Sequence, residues 1–219
     1  MNTKLVGLLM RVAVLVALLA IAGTGGNRAT AQQQQTVSDN ADAIFRSSLS
    51  HTAGNHHGDV TLVEFFDYNC GYCRLALPTV VKLINDDGKI RLVLKELPIF
   101  GDASVVAAKL ALASNKQGKY FEMHQKLLSE PGRAGQEKAL RIANELGLDL
   151  ERLQKDAEDP GIQKALDEAK DLAHKLEGSP LSTPLFLIGD QVLYGVPEYF
   201  FDVLKAGVVE VRRKGCVSC

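Results

Sequence analysis

Two cysteines separated by two residues, Cys70-Gly-Tyr-Cys73, stand directly after the run Val60-Thr-Leu-Val-Glu-Phe-Phe66. That run is β-branched or aromatic on both alternating faces, the pattern of a strand buried on both sides. From Cys73 onward Leu75, Leu77, Val80, Val81 and Ile84 fall at helical spacing, and the pattern stops near Asp86-Asp87-Gly88. Pro78 lies inside this stretch and predicts a kink. A second buried strand follows over Ile90–Leu94, so strand, helix and strand make a crossover unit with the cysteines at its first strand-to-helix junction. The chain is therefore α/β, with one core for its 219 residues.

Residues 102–177 change character. No strand pattern appears there; Ala, Leu, Lys, Glu and Gln dominate, with breaks at Gly118, Pro131 to Gly135, Gly147 and Pro160-Gly161. Several short helices are expected, the clearest placing Ile162, Leu166, Ala169, Ala173 and Leu176 on one face. Leu185–Ile188 and Val192–Tyr194, around Gly189-Asp190, read as a hairpin. A last helix is expected from about Pro197 to Arg213.

The beginning of the chain has Lys4 and Arg11, then the apolar run Val12–Ala22, then Ala29-Thr-Ala31. The run is the length of a secretory leader's apolar region and short of the roughly 20 residues a spanning helix needs. Cleavage after Ala31 and export into an oxidising compartment are expected; the alternative is an uncleaved membrane anchor. Hydrophobic residues are 46% and charged ones 23%, and the formal net charge of −1 becomes −4 without Lys4, Arg11 and Arg28. Neither a disordered chain nor a nucleic-acid groove is indicated. Gln32–Gln35 reads as a disordered terminus, Asn40–Ser50 as a helix, and His51, His56 and His57 as part of a solvated loop with no role.

The cysteine pair carries the chemistry. At a helix N-terminus, unpaired N–H groups and the macrodipole stabilise an anion, so Cys70 is expected as the thiolate nucleophile. Cys73, one turn on, can attack a mixed disulfide at Cys70 and release it. A permanent disulfide and half of a zinc site are the alternatives. Glu64 interrupts the apolar run six residues before Cys70, where a buried carboxyl can exchange a proton with Cys73; pairing with Lys95 or reaching solvent are the other readings. Thr183-Pro184 precedes the strand at 185. A cis bond there would present the Thr183 backbone to an extended peptide.

Together, Glu64-Phe-Phe-Asp-Tyr-Asn-Cys-Gly-Tyr-Cys-Arg74 and Thr183-Pro184 resemble the thioredoxin-fold disulfide oxidoreductases of the bacterial envelope, the DsbA-like group with a helical insertion, over roughly residues 58–213. The resemblance implies a thioredoxin fold with an inserted helical domain. It makes Cys70 the attacking cysteine, Cys73 the resolving one, Glu64 the buried acid and Pro184 the cis-proline, with Gly71, Tyr72 and Thr183 as substrate contacts. The expected division is a leader over 1–31, an N-terminal extension over 32–58, the first half of the fold over 59–101, the insertion over 102–177, the second half over 178–214, and a cysteine-containing tail over 215–219.

Gly71-Tyr72 and Thr183 depart from the Pro-His and Val of typical DsbA oxidases and look more like isomerases of the DsbC kind. The N-terminal extension resembles that of the suppressor-of-copper-sensitivity relatives, which suggests a homo-oligomer. Oxidase and isomerase both stand as readings, as does a copper-binding thiol protein without catalysis. The expected partners are unfolded or misfolded exported proteins with cysteines, and a membrane redox protein, either a quinone-linked oxidase or a thiol reductase. No nucleic acid, cofactor or metal is expected. Cys216-Val-Ser-Cys219 is not part of the family core; a local disulfide, a second redox pair and a soft-metal site are its three readings.

Overall fold

A computed structural model describes residues 31–216 and 218–219. The leader up to residue 30 lies outside the described residues, and no described helix is long and apolar enough to cross a membrane.

A five-stranded mixed sheet has the order β1-β3-β2-β4-β5. Its central strand is β2 (Val60–Phe66), parallel to β3 (Ile90–Glu96) and antiparallel to β4 (Leu185–Ile188). The edges are β1 (His51–Gly54), antiparallel to β3, and β5 (Gln191–Tyr194), antiparallel to β4. All seven residues of β2 are buried, as its two-faced apolar pattern requires. Alternate residues then separate two cores. Leu62 and Phe66 of β2, with Leu92, Leu94, Phe186 and Ile188, pack beneath α2 (Gly71–Asp87) and α8 (Phe200–Lys214). Val63 and Phe65, with Val93, Leu185 and Leu187, pack on the other side against Ile44, Phe45 and the end of a helix from the insertion.

Helix α2 runs unbroken through Pro78 and closes on Gly88, whose φ of 68° is the left-handed conformation that ends a helix. Helix α8 approaches β4 at Gly207, where a Cβ would sit 2.8 Å from Ile188 Cδ1. This helix starts three residues later than the expected Pro197 because Tyr199, at φ 56°, occupies its N-cap.

Between β3 and β4 stand α3 (Asp102–Ser114), α4 (Tyr120–Ser129), α5 (Gln136–Glu145), α6 (Leu150–Asp156) and α7 (Pro160–Glu177). Ala-rich α3 is central, with Ala107, Ala108 and Ala111 allowing close packing against α4, α5 and α6. Asp149 and Asp159 cap α6 and α7 by accepting the Arg152 and Gly161 N–H groups. Helix α7 serves both cores. Its Ile162 and Leu166 join the insertion, whereas Ala169, Leu172, Ala173 and Leu176 cover the far face of the sheet.

The N-terminal expectations need correction. Residues 31–39 are helical (α1), including the glutamines read as disordered, because Val37 buries fully against the far sheet face. The helix expected over Asn40–Ser50 is instead one wide turn, Asp42–Arg46, which drives Ile44 and Phe45 into that same core. His51 is not in a loop; it opens β1, which satisfies the outer hydrogen-bonding edge of β3. Its ring lies 4.3 Å from that of Tyr120, and burial lowers its pKa to about 4.

Candidate active site

The turn from β2 into α2 is set by Asp67. Its buried carboxylate accepts hydrogen bonds from the N–H groups of Asn69 (2.7 Å), Ile99 (2.7 Å) and Phe100 (3.0 Å) and from Ser104 Oγ (2.8 Å). Its carbonyl accepts from Cys70 N–H at 3.0 Å. Cys70 is thereby fixed as the N-cap of α2, in extended conformation, and Cys73 lies one turn inside with no exposed surface. Both are free thiols. Gly71 and Tyr72 between them are exposed, Tyr72 to 60%.

The Thr183–Pro184 peptide is cis, and the Cys70 thiol donates to Thr183 O at 3.2 Å. Thr183 Oγ1 is buried with no hydrogen-bond partner among the described residues, and its hydroxyl is near enough to the Cys70 sulfur to favour the thiolate. Gly195 N–H bonds Pro184 O at 2.9 Å and closes the proline loop against the end of β5.

The two sulfurs are electrostatically unequal. A hydrogen bond from the Cys73 thiol, helped by the Thr183 side chain and the N–H groups of Cys73 and Tyr72, outweighs burial and lowers the Cys70 pKa to about 6. Burial, the hydrogen bond to Cys70 and the nearby Glu64 charge push Cys73 the other way, far above an ordinary thiol. Near neutral pH the arrangement is one thiolate and one thiol, a nucleophile and its resolving partner.

Glu64 has the register parity of Leu62 and Phe66, so it points toward α2. It is 1% exposed and its Oε1 has no hydrogen-bond partner among the described residues. Burial, then the negative charge at Cys70, raises its pKa to about 8. Lys95 is not its partner. In the parallel register Lys95 stands opposite Phe65, on the far face, where its ammonium bonds Ala43 O, Ser50 Oγ (2.7 Å) and Glu168 (3.3 Å).

Several neighbours were not singled out in the sequence. Asp67 is one; its spacing to Asn69 is that of an Asx turn, the local signal that marks it. Asn69 is another, exchanging two 2.8 Å hydrogen bonds with the backbone of Ala134 in the insertion. Glu96, buried, accepts from Tyr68 (2.7 Å) and Tyr120 (3.1 Å), and burial raises its pKa well above the carboxylate range. Nothing local announces that group, since its members come from β3, the β2–α2 turn and α4.

Cys216 and Cys219 form a disulfide with their Cα atoms 5.6 Å apart. The tail is held by Ser218 N–H on Asp190 Oδ1 (3.0 Å) and by Arg46 on Ser218 O (3.1 Å). Asp190 follows the end of β4 opposite to Pro184, so this pair sits at the other pole of the sheet from Cys70. Among the described residues no three His, Cys, Asp or Glu side chains converge to hold a metal.

Residues 61–202 match the family model described as the DSBA-like thioredoxin domain. The chain belongs to that family. Its architecture is a thioredoxin fold with inserted helices. A thioredoxin-like oxidoreductase from Silicibacter pomeroyi DSS-3 is 41% identical, with a TM-score of 0.75 over 80% of this chain and 98% of the other. The thiol-disulfide exchange protein alpha-DsbA2 from Wolbachia pipientis is 31% identical, with a TM-score of 0.77 over 84% and 98%. Among curated proteins, Na(+)/H(+) antiporter NhaA 1 of Salinispora arenicola is 33% identical over 164 residues, which are 72% of this chain and 24% of the antiporter. The chain thus spans about a quarter of that relative's length.

Proposed function

We propose that the protein is exported to the periplasmic space and exchanges disulfides in cysteine-containing client proteins through Cys70. The observation that carries this reading is the inequality of the two sulfurs: Cys70 lowered to about 6 and hydrogen-bonded beside a cis-proline, Cys73 buried and raised. In one direction the Cys70 thiolate attacks a client disulfide, forms a mixed disulfide and expels a client thiolate. Return attack by a client thiolate on the client sulfur of that bond re-pairs the client and restores Cys70. In the oxidising direction a client thiolate attacks the Cys70–Cys73 disulfide. Cys73 leaves and takes the proton of Glu64, and a second client thiolate then releases Cys70, so two electrons pass from client to protein.

Glu64 suits the proton step because its pKa of about 8 leaves it protonated near neutrality and close to the ionisation point. Pro184 and the Thr183 backbone receive the client segment, and exposed Gly71 and Tyr72 form the contact surface beside the sulfur. Export rests on the leader pattern of residues 1–31, and a membrane redox protein resets the pair.

The test is ribonuclease refolding by residues 32–219, run beside Cys70→Ser. Recovery from scrambled, wrongly paired ribonuclease that depends on Cys70 supports isomerisation. Oxidation of fully reduced ribonuclease without recovery of the scrambled form supports the oxidase. Activity in neither assay removes the proposal.

A further inference from the structure

On the insertion side of Cys70 lies an open cleft of about 610 Å³, lined by Asn69, Arg74, Phe100, Pro131, Gly132 and Arg133. It lies beside the nucleophile rather than on it: its lining residues Asn69 and Arg74 are one position before and four after Cys70. The reciprocal Asn69–Ala134 bonds fix its outer wall. The Arg74 guanidinium is held by three carbonyls, of Leu128 (3.4 Å), Glu130 (2.6 Å) and Gly132 (2.8 Å), and among the described residues by no carboxylate. Arg133 is exposed and has neither an ion pair nor a hydrogen bond among the described residues. Of the other six described arginines, Arg46, Arg141, Arg152, Arg212 and Arg213 each contact a carboxylate, and Arg91 donates to Phe45 O and Thr61 Oγ1.

Among the described residues no acidic side chain lines this cleft, although acidic residues outnumber basic ones in the chain. Behind the loop, the buried Lys138 ammonium also rests on carbonyls, of Leu127 and Glu130. Its pKa is lowered first by burial and then by the Arg74 charge. Three cations with no carboxylate at ion-pair distance among the described residues therefore gather at one wall, two of them lining the cleft, and Phe100, 49% exposed, adds an apolar side.

We infer that this cleft recognises acidic residues flanking the client cysteine, with Arg133 as the specificity-determining contact. The inference rests on Cys70 being the attacking thiol. A client held by Thr183 on one side of the sulfur continues past Asn69 into the cleft, where a carboxylate meets the unpaired guanidinium of Arg133. An exposed charge contact of this kind acts mainly on capture of the client and weakens with salt.

The experiment uses the purified protein and two disulfide-bonded peptides, identical except that aspartates or lysines flank the cysteine, with uncharged hydroxyethyl disulfide as a small control. At about 0.02 M salt, kcat/KM for the aspartate peptide should exceed that for the lysine peptide about tenfold, and the ratio should fall toward one at about 0.5 M. Arg133→Gln should remove most of the preference and Arg133→Glu should reverse it, with turnover of hydroxyethyl disulfide unchanged in both. Equal rates for the two peptides in the unaltered protein, or a preference that survives Arg133→Glu, would overturn the inference. Failure of the unaltered protein to turn over hydroxyethyl disulfide would instead remove the reading of Cys70 and take the inference with it.

Discussion

Glu64→Gln tests whether a neutral carboxylic acid is built into the core. The folded protein holds the Glu64 pKa at about 8, against 4.5 for the ordinary group. Below about pH 4.5 both folded and unfolded chains carry the proton, and the residue makes no pH-dependent contribution. Between 4.5 and 8 the unfolded chain has released the proton while the folded chain retains it, so stability falls as pH rises. The slope is about 1.36 kcal/mol per pH unit, and an interval of about 3.5 units amounts to about 5 kcal/mol. That loss is comparable with the whole stability of many domains. Glutamine has nearly the same shape and cannot ionise, so its variant should not share the decline. Reduced protein should be unfolded in urea at several pH values between about 5 and 8 and followed by far-ultraviolet circular dichroism. Both proteins keep Cys70, so the thiol titration largely cancels in the difference between them. The variant should gain on the parent steadily with pH; two parallel curves would refute the assignment of a protonated, buried Glu64.

Alkylation by iodoacetamide, resolved by peptide mass, should modify Cys70 with a midpoint near pH 6 and leave Cys73 almost untouched across the neutral range. Thr183→Val should move that midpoint upward, because it deletes a hydroxyl that stabilises the thiolate; an unmoved midpoint would remove the hydroxyl from the account. Cys216→Ser combined with Cys219→Ser should leave turnover of hydroxyethyl disulfide at Cys70 unchanged, since the tail disulfide lies at the opposite pole of the sheet. A fall in turnover at unchanged circular dichroism would mean that the two pairs communicate.

The strand that carries Glu64 was legible because burial on both faces leaves a continuous apolar run, and a carboxylate inside such a run stands out. Helix α2, the hairpin of β4 and β5 and the late helix α8 were legible from period and turn residues for the same reason. Strand β1 was not. His51-Thr-Ala-Gly54 has little intrinsic strand preference, and it is extended because the outer edge of β3 needs hydrogen-bond partners. The alternative that pairs Glu64 with Lys95 fails because proximity between neighbouring strands says nothing about faces. The register, Phe65 opposite Lys95, decides that, and it is a property of the pairing. The tie between Asn69 and Ala134 spans 65 positions and depends on how the insertion folds back over the site, so no local pattern encodes it. The cleft at Arg133 is invisible in sequence for the same reason.

Trapping the covalent intermediate tests the central claim most directly. With Cys73→Ser in place the resolving thiol is gone, and a mixed disulfide formed at Cys70 should persist long enough to isolate. When the variant is mixed with a disulfide-bonded, unfolded client and quenched in acid, peptide mapping should find the client joined to Cys70. Adding Cys70→Ser should abolish the adduct. A client attached through Cys216 or Cys219, or no adduct although the variant is folded and Cys70 is alkylated near pH 6, would contradict the account.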